Sequence, residues 1–88
     1  MILIYLNVII QFLTPVIITG NVHDKNNYDI VGAKVYNNID TTYTDFNGSF
    51  CLESDSNTKY IHIEMISFDD HTYEWDNDST IEVKMISK

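Results

Sequence analysis

From Val16 to Met85, apolar and polar residues alternate with a period of two, and clusters of Asn, Asp, Gly and Ser repeatedly cut the alternation. A two-residue period places successive side chains on opposite faces of an extended strand. No 3.6-residue period replaces it anywhere in this stretch, so the chain reads as strands and turns. Val16, Ile18, Gly20 and Val22 share one face of a first strand, and His23 to Tyr28 follow as a polar loop. Gly32 opens a second strand with Ala33 and Val35 inward, and Thr41 to Thr44 form a short β-branched run. Phe50 and Leu52 alternate with Ser49, Cys51 and Glu53; Ile61, Ile63 and Met65 alternate with Tyr60, His62 and Glu64. Tyr73 and Trp75 come next, and Ile81, Val83 and Met85 close the pattern against Glu82 and Lys84. Asp45-Phe46-Asn47-Gly48 predicts a tight hairpin, because Asn-Gly supplies residues that accept positive φ.

Seven short strands joined by short loops are expected to pair mostly antiparallel. Each has one apolar face, and two packed sheets bury all of those faces at once. The expected fold is therefore all-β: a single small seven-stranded antiparallel β-sandwich over residues 16–88, behind an apolar N-terminal segment, residues 1–15. A chain of 88 residues holds one domain. Cys51 is its only cysteine, so no internal disulfide staples it. A domain this small closes its core by packing alone or borrows surface from a partner.

The N-terminal stretch MILIYLNVIIQFLTPVIIT is uncharged, and the first charged residue is Asp24. Three readings compete for it. As a secretory signal it supplies an apolar run but lacks a basic start and a small-x-small cleavage site. As a membrane anchor it is interrupted by Asn7, Gln11 and Pro15 and is short for a span of about 20 apolar residues. As an extra strand it has the right composition, since Ile, Val, Tyr and Phe dominate it. The sequence favours a signal or anchor.

Thirteen acidic residues against five basic ones give a net charge of −8, and all five cations are Lys. Phosphate recognition needs clustered cations, so nucleic acid is excluded as a partner, and an anionic membrane surface is disfavoured on the same ground. The expected partners are proteins or further copies of the chain. They are met through the N-terminal segment and exposed sheet edges. A membrane enters only if that segment is an anchor.

The turn residues carry a resemblance. Ile18-Thr19-Gly20-Asn21-Val22-His23-Asp24 resembles the opening G-x-V-x-D of carboxypeptidase regulatory-like domains. Gly32-Ala33-Lys34-Val35 resembles their G-A-x-V, and Thr44 to Leu52 (TDFNGSFCL) resembles T-D-x-x-G-x-F-x-L. Ser67-Phe68 leading to Tyr73 is similar to a later strand of the family. The resemblance runs from Val16 to Ile86. It departs at Asp29-Ile30, where the family usually has Pro-Leu, and at Asp69-Asp70-His71, where it has Gly-Tyr. It implies a transthyretin-like, Ig-like β-sandwich of a kind not known to catalyse reactions. Gly20 and Gly32 are expected at close backbone approaches, and Gly48 at a positive-φ turn position.

Several constellations invite chemistry, and each has a plainer reading that prevails. His71 and Glu74 spell H-x-x-E, the pattern of two zinc ligands. A catalytic zinc needs a third ligand, and residues three apart on a strand face opposite ways. His23-Asp24 are strand neighbours that diverge, and His62 is expected outward beside Glu64. Asp45, Asn47 and Ser49 faintly resemble a calcium loop, but the distal Glu of that loop is missing. Asp69, Asp70, Asp76 and Asp78 are read as solvated turn residues. Cys51 is expected on the face away from the core, small and partly buried, with no base to activate it. Tyr36, Tyr43, Tyr60, Tyr73 and Trp75 offer aromatic area for a glycan, but core or cross-strand packing is the expected use. No catalytic, cofactor or metal residue is assigned, and no cofactor is expected.

The expected function is non-catalytic: a secreted or cell-envelope module displayed on an exterior surface and acting through protein–protein contacts, in a structural or adhesive role. The alternative is a structural or decoration protein of a phage or virus particle, with the N-terminal segment as an assembly arm. A weak glycan- or Ca²⁺-binding module is the second alternative.

Overall fold

The computed structural model describes residues 16–78 and 80–88. The N-terminal segment, residues 1–15, lies outside the described residues. Among the described residues there is no helix and there are seven strands. These are β1 (Val16–His23), β2 (Lys34–Tyr36), β3 (Thr41–Tyr43), β4 (Ser49–Ser54), β5 (Tyr60–Glu64), β6 (His71–Glu74) and β7 (Thr80–Lys84). They form a three-stranded sheet in the order β4-β1-β7 and a four-stranded sheet in the order β3-β2-β5-β6.

The alternation read from the sequence decides which faces are buried. Ile18 and Val22 on β1, Phe50 and Leu52 on β4, and Ile81 and Val83 on β7 point inward from the first sheet. Val35, Ile61 and Ile63 meet them from the second. Ile30, Ala33, Trp75 and Met85 close the ends of the same cluster. Two sheets thus share one core in a sandwich-like arrangement. The residues between these positions, such as Glu82 and Lys84, face solvent.

Two expectations need correction. Pairing is not antiparallel throughout: β1 and β7 run parallel, with Gly20 opposite Ile81 and Val22 opposite Val83. The first and last strands carry apolar faces that fit side by side, and nothing short connects them, so no tight turn imposes reversal. The Asn47-Gly48 turn is also not a hairpin between paired strands. It passes the chain from β3 in one sheet to β4 in the other. Gly48 alone takes positive φ there, at 71°, and its N–H donates to Asp45 O at 2.9 Å. The Asp45 carboxylate then accepts from Asn47 N and Ser49 N, both at 2.9 Å. One side chain holds the corner.

Gly20 is required by contact. A Cβ built there would lie 2.6 Å from Ile81 O and 2.7 Å from the tip of the Phe50 ring. Phe50 is the register partner of Gly20, so its ring covers the bare backbone. Gly32 differs from the expectation of a close approach: nothing lies within 4 Å, and its φ of 81° is what selects glycine. Thr44 is buried and knits the second strand's approach to β3. Its Oγ1 accepts from Ala33 N at 2.9 Å and donates to Ile30 O at 2.6 Å.

Gly20→Ala is expected to destabilise the fold by about 2 kcal/mol or more, because neither the carbonyl nor the ring can yield without moving a strand. A urea titration followed by fluorescence of buried Trp75 measures it. Asp45→Ala is expected to cost about 1–2 kcal/mol through loss of a charged acceptor serving two amides, with a matching fall in the urea midpoint.

Candidate interaction surface

The faces and edges that remain exposed follow from the strand orders. On the outer face of the four-stranded sheet, cross-strand register brings Lys34, Tyr36, His62 and Glu64 together. The Lys34 ammonium lies 4.9 Å from the Tyr36 ring centroid, and the His62 ring lies 5.1 Å from the same centroid, tilted by 31°. The Tyr36 hydroxyl donates to the Glu64 carboxylate. His62 Nδ1 is 3.3 Å from Thr72 Oγ1. The bond to Glu64 raises the Tyr36 pKa, with burial and the negative charges of Glu64 and Asp70 adding to it. The bond therefore supports the fold below the ordinary tyrosine range and is lost as pH rises through the raised value.

The five aromatics singled out in the sequence divide between two environments. Tyr73 and Trp75 turn inward onto the core. Tyr36 packs across strands as expected. Tyr43 and Tyr60 stand outward, 61% and 51% exposed. Their rings belong to separate strands, and β2 lies between β3 and β5.

The histidine and carboxylate pairs also separate. His71 shares the inner face with Ile63, whereas Glu74 lies opposite Tyr60 on the outer face, so the H-x-x-E residues diverge. His23 Nε2 meets Glu82 Oε2 at 3.4 Å, and not Asp24. The Asp24 carboxylate accepts from Asn26 N at 2.8 Å and Tyr28 N at 3.0 Å. Asp45 and Asp55 cap their turns in the same way, and Asn37 does so with its amide oxygen. Asp24, Asn37, Asp45 and Asp55 are thus engaged by the amides of their own turns. Among the described residues, no three His, Cys, Asp or Glu side chains converge. Cys51 is exposed, where a partly buried site was expected. It lies opposite Thr19 on the outer face of the three-stranded sheet.

Sequence reasoning missed the difference between the sheet edges. On β4, Ser49 N and O bond to Asp45 Oδ1 and N, both at 2.9 Å. Glu53 N donates to Asp40 Oδ2 at 2.9 Å, and Glu53 O accepts from Asn37 Nδ2 at 3.0 Å. The β4 edge is therefore held by loop groups at Ser49 and Glu53, the two ends of its outward row. The β7 edge is bare. Met85 N donates to His23 O at 2.9 Å, and this phase of the parallel ladder turns the backbone of Thr80, Glu82 and Lys84 away from β1. Among the described residues, no loop or strand bonds those groups. A row of unpaired N–H and C=O groups is a template for another strand.

Asp76 and Asp78 sit in the loop before β7. Repulsion by Asp76, together with a hydrogen bond between the two carboxyls, raises the Asp78 pKa. Asp78 thus holds its proton to higher pH in the folded state, so this pair opposes folding above the carboxylate range and ceases to as pH falls through it. Asp78→Asn is expected to raise the melting temperature at pH 7 and to lose that gain near about pH 3, where the carboxyls are protonated. Paired thermal melts across this range check the sign.

No protein-family model matches the chain, and no curated protein sequence matches it.

Proposed function

We propose that this chain is a non-catalytic β-sandwich module of the carboxypeptidase regulatory-like, transthyretin-like kind, displayed on an exterior surface and acting through protein–protein contacts. The observation that carries this reading is the bare β7 edge, set against the side-chain cover on β4. In the three-stranded sheet, an edge left unpaired opposite one that loop groups hold is a place for a partner's strand. The turn residues of the resemblance support the family assignment: Gly20, the Gly32-Ala33 step and the corner from Asp45 to Gly48. A secreted or cell-envelope setting fits an uncharged apolar stretch ahead of an acidic domain.

The second reading is a structural or decoration protein of a virus or phage particle, in which residues 1–15 serve as an assembly arm. The same edge favours it, because an arm needs a seat on a neighbour. Glycan binding is weaker. Of the five aromatics, only Tyr43 and Tyr60 present open rings, and the two do not share a strand. Calcium binding is weaker for a different reason, since Asp24, Asp45 and Asp55 already hold backbone amides.

Exterior display is tested by treating the intact source, cells or particles, with a membrane-impermeant amine reagent. Lys25, Lys59, Lys84 and Lys88 are exposed. Modification of these lysines before lysis is expected. Modification only after lysis overturns the reading. Intact mass of the same material separates its two versions: a chain lacking about 15–19 N-terminal residues marks export and processing, and a full-length chain marks retention.

A further inference from the structure

Among the described residues the two sheets are unequal, three strands in one and four in the other. β4 lies against β3 and β2, so at the other end of the sandwich β7 lies on the side of β5 and β6. The chain beyond β7 is tied to the β5–β6 connection there: Asp69 N donates to Ile86 O at 2.8 Å, and Lys88 N to Ser67 O at 3.0 Å. A fourth strand in the first sheet would therefore sit beside β7 and across from β6. The inner face of β6 shows the gap. Tyr73 and His71 point inward there yet are only half-buried. The bare backbone of Thr80, Glu82 and Lys84 borders the same gap.

We propose that this gap is the seat for the N-terminal segment of a second copy of the chain, residues 2–10, added as an edge strand on β7. The inference rests on the assembly-arm reading above and names its partner and its site. Three observations select this occupant. Every charged side chain lies from Asp24 onward, so two domains of net charge −8 repel, and the uncharged segment is the part of the chain that approaches a neighbour without that cost. Residues 2–10 are apolar at every position but Asn7, so either side of an added strand supplies apolar area for the half-covered side of Tyr73. The 15 residues ahead of Val16 reach up to ~50 Å when extended, against ~17 Å for a five-residue strand such as β7. Each copy then gives one strand and takes one, which is a head-to-tail contact that propagates until it closes a ring or grows a filament.

Light scattering of the full chain during size-exclusion chromatography tests this. Assemblies larger than two chains of 10.2 kDa are expected. Glu82→Pro removes a donor that faces the seat and not β1, a position where an edge strand tolerates proline. It is expected to destroy the seat while leaving the arm. Leu6→Pro breaks the arm and lies ahead of every described strand. Each variant alone is expected to be monomeric, with Trp75 fluorescence reporting an intact core. Mixed together, they are expected to form a 1:1 heterodimer, because one supplies an arm and the other a seat. A monomeric parent chain overturns the proposal, including one in which Glu82→Pro merely lowers the melting temperature, since that places the segment on its own β7. Assembly of either variant to the parent's size, or a mixture that stays monomeric, also overturns it. Lysine labelling of the intact source is unaffected by these outcomes, so exterior display stands or falls separately.

Discussion

The spacing of the three-stranded sheet depends on what happens at Gly20. The Phe50 ring from β4 and the Ile81 carbonyl from β7 both approach the space where a side chain would be. With hydrogen there, β1 can lie between its two neighbours with its inner face closed by an aromatic ring. Without it, one of them would have to shift. Ile18 and Val22 on β1, and their partners on β4 and β7, are buried because that strand sits where it does. The rest of the core is conventional packing of branched aliphatic side chains, which tolerates small changes of shape better than a backbone contact does.

Much of the fold is legible in the chain. Alternation places Phe50 and Leu52, Ile61 and Ile63, and Ile81 and Val83 on inward faces, because a strand with one wet face leaves no other choice. What it cannot encode locally is which strand lies beside which. β1 and β7 are some sixty residues apart, and their parallel pairing depends on shape and apolar fit, which have no short sequence signature. The Asn-Gly signal shows the same limit: it specifies a sharp corner at Gly48, and both a hairpin and a passage between sheets need one.

The surface was less legible than the core. Asp24, Asp45 and Asp55 look like loose acidic loops in the sequence, yet each is bound to backbone amides of its own turn. Such turns need only an Asx residue and the right backbone, so the residue type announces them and the calcium resemblance is incidental. Tyr36, Lys34, His62 and Glu64 all fall on outward positions of the alternation. Their meeting requires the β2–β5 register, which comes only with the sheet. The contrast between the β4 and β7 edges is further still from the sequence, since Asn37 and Asp40 reach Glu53 across the fold.

The parallel pairing of the first and last strands also bears on how the protein is made. During synthesis β1 emerges before its partners and can find β4 once Ser54 has followed, but its other flank waits for Thr80 to Lys84. Contacts of such long sequence separation form late, because the chain entropy of closing the loop must be overcome before they contribute. Until then β1 is a long apolar strand paired on one side only. The interval between translating β4 and translating β7 is therefore when a nascent chain is most exposed to its neighbours on a polysome.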